Sequence, residues 1–422
     1  QQPLSPEVMM LRNNKQDGYD YRKRRHAEWD ENYELSRDRV QFNRFTQRQM
    51  VTLPIMKQTM RTLLAQIDDM PVLYFEDLNN DKDREIFKNE YWKYTQEENS
   101  MEIQDIVDKK QVFHFGRSFD QWQIMNGKVV QTICDVMDIE VSRYTNPYNI
   151  HSSRFLIHNH IITPLSVLKE NTDYDQEEVK KLEAWFSTEQ GMIKSATNRQ
   201  MLQEKNQKMA DMGVENIDSP ILGETYVELS LHFVYRQEEG DEEEQIYMYV
   251  ECEDMHIIMK KPLEEVIGVT EDHFWRNHYP YVTWADDVER QDFWSDGIAD
   301  IVRMPAKIVN SWFSQEVENR TLQNFNMHYY ASDVEGFNPQ SFEPVPWGWY
   351  PIPLGTHQSI DEILKTVEVK KLDGNLEDMN YVIGVVEKAT GATPTLQGAA
   401  TENKITLGEV QLALGQAKQR IK

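Results

Sequence analysis

The stretch Ser295 to Phe325 reads SDGIADIVRMPAKIVNSWFSQEVENRTLQNF, and the rest of the chain is organised around it. Apolar residues at Ile298, Ile301, Val302, Ile308, Val309, Trp312, Phe313 and Val317 recur at helical spacing. That period predicts one long amphipathic helix. Ser295 is placed to cap its start, and Asp296 and Asp300 suit the positive end of the helix dipole. Pro305 removes a backbone donor and crowds the preceding turn, so a kink or a restart is expected there. Arg303, Lys307, Asn310, Gln315, Glu318 and Arg320 form a polar stripe, whose plain reading is a solvated face.

Downstream, Asn326 to Thr356 is rich in Pro, Gly and aromatic residues and reads as an extended segment. Asn375 with Asp378 can cap a helix carrying Leu376, Met379, Val382, Ile383 and Val386, which Gly391 stops. A last helical pattern begins near Thr401 and runs to Lys422.

Upstream lies the clearest strand signal. Val227, Leu229, Leu231, Phe233 and Tyr235 alternate with polar residues, and Ile246, Met248, Val250 and Cys252 do the same, which predicts a hairpin. Its connection holds the acidic run EEGDEEE, read as a solvated tip or a docking surface. Before it, a polar helix is expected from about Met192 to Met212, and Asp175 with Glu178 resembles a capping box ahead of Val179, Leu182, Trp185 and Phe186. Short β-branched and aromatic runs at Lys128 to Cys134, Glu140 to Tyr144 and Arg154 to Ile162, with turn signals at Asn126-Gly127 and Asn146-Pro147, predict further strands. Asp81 to Ile106 reads as one polar helix with Ile86, Phe87, Tyr91 and Tyr94 inside. Leu53, Met56, Met60, Leu63 and Ile67 form a narrow apolar seam for helix packing, ended by Pro71. From Asp20 to Arg39 the chain is charged and helical, and Arg22, Lys23, Arg24 and Arg25 read as a solvated face or as a contact for phosphate or an acidic partner.

At 422 residues the length favours two to three packed units. Lys plus Arg number 45 against 71 Asp plus Glu, a net charge of -26, which argues against gripping phosphates by counterion release. Cys134 and Cys252 are too few for a disulfide framework or a cysteine zinc site, which points to assembly in a reducing compartment. No run of about 18 apolar residues occurs, so no membrane span is expected. The chain opens at Gln1 and stops within a helical pattern, so it is expected to be an interior piece of a longer polypeptide.

Strong catalytic signatures do not emerge. The sequence has no GxxxxGK[ST] loop, no GxGxxG and no HExxH. His158 and His160 would share one strand face, as metal ligands do, but no third ligand stands at characteristic spacing. Neither a metal, a cofactor nor an enzymatic activity is therefore expected. A carboxylate-metal nuclease or hydrolase is kept as an alternative, because acidic residues abound.

The order of these elements, with Tyr279-Pro280 leading into Val282 and Gly297 opening a helix that contains Pro305 and Asn310, resembles the portal proteins of tailed bacteriophages. The similarity continues through GVVEKATGATPTLQGAATENKITLGEVQLALGQAKQRIK, where Gly384, Thr390, Gly391, Leu396, Gly398 and Glu402 carry the match, and Arg154 fits the family's wing region. The resemblance implies an elongated, multi-domain, ring-forming α+β subunit. Residues 1–191 would be the wing, 192–223 the first stem helix region, 224–294 the clip with its hairpin, and 295–325 the second stem helix. Residues 326–400 would return to the wing and channel wall, and 401–422 would start a crown-directed helix.

The same resemblance implies a dodecameric ring at the virion's portal vertex, assembled in the host bacterial cytoplasm. Its partners would be a separate terminase motor, tail adaptor or neck proteins, the major capsid protein and the duplex DNA passing through. Arg303, Lys307, Asn310, Glu318 and Lys404 would line the DNA channel, and Glu238, Asp241, Glu242 and Glu243 would dock partners at the clip. Another head-tail connector or neck protein is the neighbouring alternative.

Overall fold

The computed structural model describes residues 5–37, 51–67, 73–77, 81–125, 127–212, 220–221, 223–238, 244–267, 278–288, 292–324, 328–330, 359–366 and 368–392. The chain begins with four helices. They are α1 (Pro6–Ser36), α2 (Ile55–Leu64), α3 (Lys82–Glu98) and α4 (Met101–Phe115). Strands β1 (Arg117–Met125), β2 (Lys128–Cys134), β3 (Ile139–Val141) and β4 (Phe155–Pro164) follow, then helices α5 (Leu165–Glu170), α6 (Gln176–Phe186) and α7 (Glu189–Met212). Next come β5 (Tyr226–Arg236), β6 (Gln245–Cys252), β7 (His256–Pro262), α8 (Leu263–Ile267) and β8 (Tyr281–Ala285). The long helix is α9 (Ile298–Asn324), followed by β9 (His328–Tyr330), α10 (Ile360–Ile363), β10 (Leu364–Thr366) and α11 (Asn375–Thr390). The mixed α+β class expected from the sequence is observed.

The alternating runs form the expected hairpin, with Leu231 opposite Val250 and Phe233 opposite Met248. It is also the middle of a larger body. β5 pairs with β4, and one antiparallel sheet runs in the order β3-β4-β5-β6-β7. The sheet thus joins segments that the sequence reading assigned to separate units, 1–191 and 224–294. One face packs on α1 through Leu11, Phe155, Ile157, Val234, Tyr247 and Tyr249, and apolar residues of α5 and α6 pack with Val227, Leu229, Val250 and Cys252. A second sheet, β2-β1-β8, forms when Arg117 to Gln121 pair with Tyr281 to Ala285 far along the chain.

The seam residues behave as predicted. Met56, Met60 and Leu63, together with Ile55, are buried against Ala299, Val302, Ala306 and Val309 of α9 and Met379 and Val386 of α11, and Leu53 and Ile67 pack half-buried at the margin. Full burial of such side chains contributes about 1.5–3 kcal/mol each. Asp175 caps α6 by accepting from the Glu177 and Glu178 amides, as expected.

Several expectations need correction. The single helix expected over Asp81 to Ile106 is two, divided at Asn99 and Ser100, where Ser100 adopts the left-handed φ of 49°. Ile86, Phe87, Tyr91 and Tyr94 are exposed rather than inside. α9 runs through Pro305 without a restart. Ser295 does not cap it: Ser295 is buried and its Oγ accepts from Arg117 Nη2, while the Asp300 carboxylate takes the Gly297 N–H at 3.0 Å. Pro71 and the segments 326–327, 331–358 and 393–422 lie outside the described residues.

Two glycines allow α4, β1 and the start of α9 to meet. Gly116 has φ +79°, and a Cβ there would lie 2.0 Å from the Ser295 carbonyl oxygen. At Gly297 a Cβ would lie 2.7 Å from the carbonyl oxygens of Val112 and Phe113. Beside this junction Trp29, Phe115, Phe119, Phe293 and Trp294 form an aromatic core, with Trp29 and Trp294 edge-to-face at 5.4 Å.

Candidate interaction surface on the long helix

The first turns of α9 are fastened to α1 by charge. Arg25 donates to Asp296 Oδ1 at 2.5 Å, to Asp300 Oδ2 at 3.1 Å and to the Ser295 carbonyl. Asn32 donates to Asp300 Oδ1 at 3.0 Å. One helical turn on, Arg303 pairs with Asp300 at 3.1 Å and with Glu28 at 3.2 Å, and Lys307 pairs with Glu31 at 2.5 Å. Burial lowers the Arg25 pKa, but the Asp300 and Asp296 charges outweigh it and leave the group above its ordinary value. The seam is thus nearly neutral, with three cations facing Glu28, Glu31, Asp296 and Asp300.

This placement changes the reading of the polar stripe. Arg303, 14% exposed at its side chain, and Lys307, 38% exposed, are bonded to α1. Asn310 is buried and its Oδ1 accepts the Leu53 N–H at 2.8 Å, which fixes the entry to α2. Glu318 is half-buried, and Lys404 lies outside the described residues. The basic cluster upstream divides, with Lys23 and Arg24 exposed and Arg22 and Arg25 turned inward. Arg22 is buried and pairs with Glu140 at 3.2 Å, Arg24 pairs with Asp292, and Arg25 belongs to the seam.

Beside the seam, the adjacent stripe of α9 is apolar and uncovered. Ile301, Met304 and Ile308 stand at i, i+3 and i+7 and are 45%, 56% and 40% exposed. Residues at this spacing share one face. On α11, which packs against α9, Tyr381 and Val385 are exposed one turn apart. The sequence signal for this stripe was present but misread, because Ile301 and Ile308 fit the core period as well as Val302 and Val309 do. Only the position of α1 and α2 separates the two sets.

At the acidic hairpin, Glu238 pairs with Lys260 at 2.6 Å, and Lys260 also pairs with Glu7 of α1 at 2.7 Å. Glu238 is therefore tied into the sheet, while Asp241, Glu242 and Glu243 lie outside the described residues. Arg154 is exposed and faces Glu244 at 3.3 Å. His158 and His160 do not share a face. The β4 register shifts between His158 and Ile161, and His160 takes φ +56°. His158 turns inward to the Tyr281 hydroxyl, and His160 bonds Glu228 at 2.5 Å. Among the described residues, no group of three or more His, Cys, Asp or Glu side chains is placed to hold a metal ion. Nor is any described helix long and apolar enough to cross a membrane. The chain matches no family model and no curated protein.

Proposed function

We propose that the chain is a structural subunit of a phage portal, a ring at the capsid vertex through which a separate motor drives duplex DNA and to which the tail attaches. The observation that carries this reading is the uncovered stripe Ile301, Met304 and Ile308 on the long helix, beside a charged seam that is already closed. Contiguous exposed apolar surface marks a contact site. A heterologous contact that closes on itself makes a ring. The order of elements and the sequence around Gly297, Pro305 and Asn310 support the same reading. So does the net charge of -26, because a wall poor in free cations does not retain passing phosphates. Motor, tail adaptor and capsid protein are the partners this reading requires.

Light scattering with electron-microscope class averages tests it. The expected particle is a ring of about a dozen copies with a central hole. Met304→Glu with Ile308→Glu is expected to reduce it to small species. A wild-type particle that stays monomeric or dimeric overturns the reading, and an intact ring in the double variant moves the contact off this stripe.

A further inference from the structure

Helix α4 lies on β1 through a contact that contains two carboxyl groups. Asp108 of α4 is 1% exposed and Asp120 of β1 is 4% exposed, and the two carboxyls lie close enough to act on each other. Two like charges side by side in a sealed site cannot both ionise cheaply. We propose that Asp108 and Asp120 hold one proton between them and form a pH-sensitive latch that closes α4 onto β1.

The surroundings favour the protonated pair. Ser118 on β1 and Gln131 on β2 are neutral, and they pull Asp108 and Asp120 downward by less than burial pushes them up. Asp105, one turn earlier on α4, adds a further negative charge. The nearby cation, Lys109, is already engaged by Asp105 at 2.5 Å and by the Ile67 carbonyl. The buried Cys134 at the end of β2 feels both carboxyls and is held as the neutral thiol, chiefly by burial. Oδ1 of each aspartate is buried without a hydrogen-bond partner. Burial holds both carboxyls above the usual carboxylate range, Asp108 further than Asp120, with the Asp120 charge adding to the effect on Asp108.

The folded chain therefore keeps a proton that the unfolded chain releases. A raised carboxyl pKa stabilises the fold fully below the unfolded value, and that contribution is lost as pH rises through the folded values. Alkaline solution places two negative charges in the α4–β1 contact. The end of α4 touches Gly297, so a loosened α4 bears directly on the start of α9. The latch does not depend on whether the chain forms a ring.

Thermal unfolding of the full chain from about pH 5 to about pH 9 provides the test. The wild-type midpoint is expected to fall across this range, and Asp108→Asn, whose amide can donate to Asp120, is expected to cut that fall by about half or more. Equal slopes overturn the proposal. If the variant does not fold, infrared spectra of the wild type decide. A protonated carboxylic C=O band at neutral pH that disappears in alkali, together with faster amide exchange over Met101 to Phe115, supports the latch. A missing band at neutral pH overturns it.

Discussion

The five-stranded sheet and the α2–α9–α11 layer distribute polar and apolar residues in opposite ways. Within the sheet body, polar groups are taken inside: Arg22 pairs with Glu140, each side chain 2% exposed, and His232 is hydrogen-bonded to Glu251, each 0% exposed. In the helical layer, apolar side chains are left outside, at Ile301, Met304 and Ile308 on α9 and at Tyr381 and Val385 on α11. A body that encloses such pairs satisfies them within its own chain. A layer that exposes a contiguous apolar stripe has a surface completed by something else.

The comparison breaks most sharply at Arg22. Its guanidinium also donates to the Met137 and Ile139 carbonyls, so Arg22→Met strands Glu140 and two acceptors under α1. Removing one partner of a buried pair costs about 3–5 kcal/mol, measured here by urea unfolding. Burial pushes Arg22 down and Glu140 up, in each case as the largest influence, so desolvation outweighs the attraction between them. Arg22→Met combined with Glu140→Leu is therefore expected to recover most of the loss. A loss below about 1 kcal/mol for Arg22→Met would return Arg22 to the solvated face read from the sequence.

A smaller effect is expected where the two regions meet. Gly116→Ala forces an L side chain into a positive φ and against the Ser295 carbonyl, and costs more than about 1 kcal/mol. Thermal unfolding measures it. The smallest effect on the fold belongs to the stripe itself. Met304→Glu with Ile308→Glu should change the stability of the single subunit by within about 0.5 kcal/mol while lowering particle mass. A large loss of subunit stability would show that the stripe is covered within its own chain, and the contrast between the regions would vanish.

Local signals carried much of this architecture. Alternation at Val227 to Tyr235 located β5, the spacing of Met56, Met60 and Leu63 located the buried face of α2, and Asp175 located the start of α6. What stayed hidden depends on long-range contacts. β1 carries Asp120 and Gln121, whose burial is intelligible only once β8 and α4 are in place, and its polar sequence gave no strand signal. The fate of Arg303 and Lys307 turned on Glu28 and Glu31, some 270 residues away and indistinguishable by pattern from other acids. Ser100 interrupts α3 and α4 by a backbone conformation that no neighbouring Gly or Pro announces.

The pairing of β1 with β8 also sets an order on biosynthesis. Arg117 meets Ala285 only after roughly 170 further residues have been made, on the order of 10–30 s at usual translation rates. During that interval β1 has β2 on one side and an open edge on the other. Such an edge is a template for foreign strands. Slowing the ribosome between β2 and β8 would lengthen that exposure, so the yield of native chain should depend on codon tempo and on chaperones that shield the nascent edge.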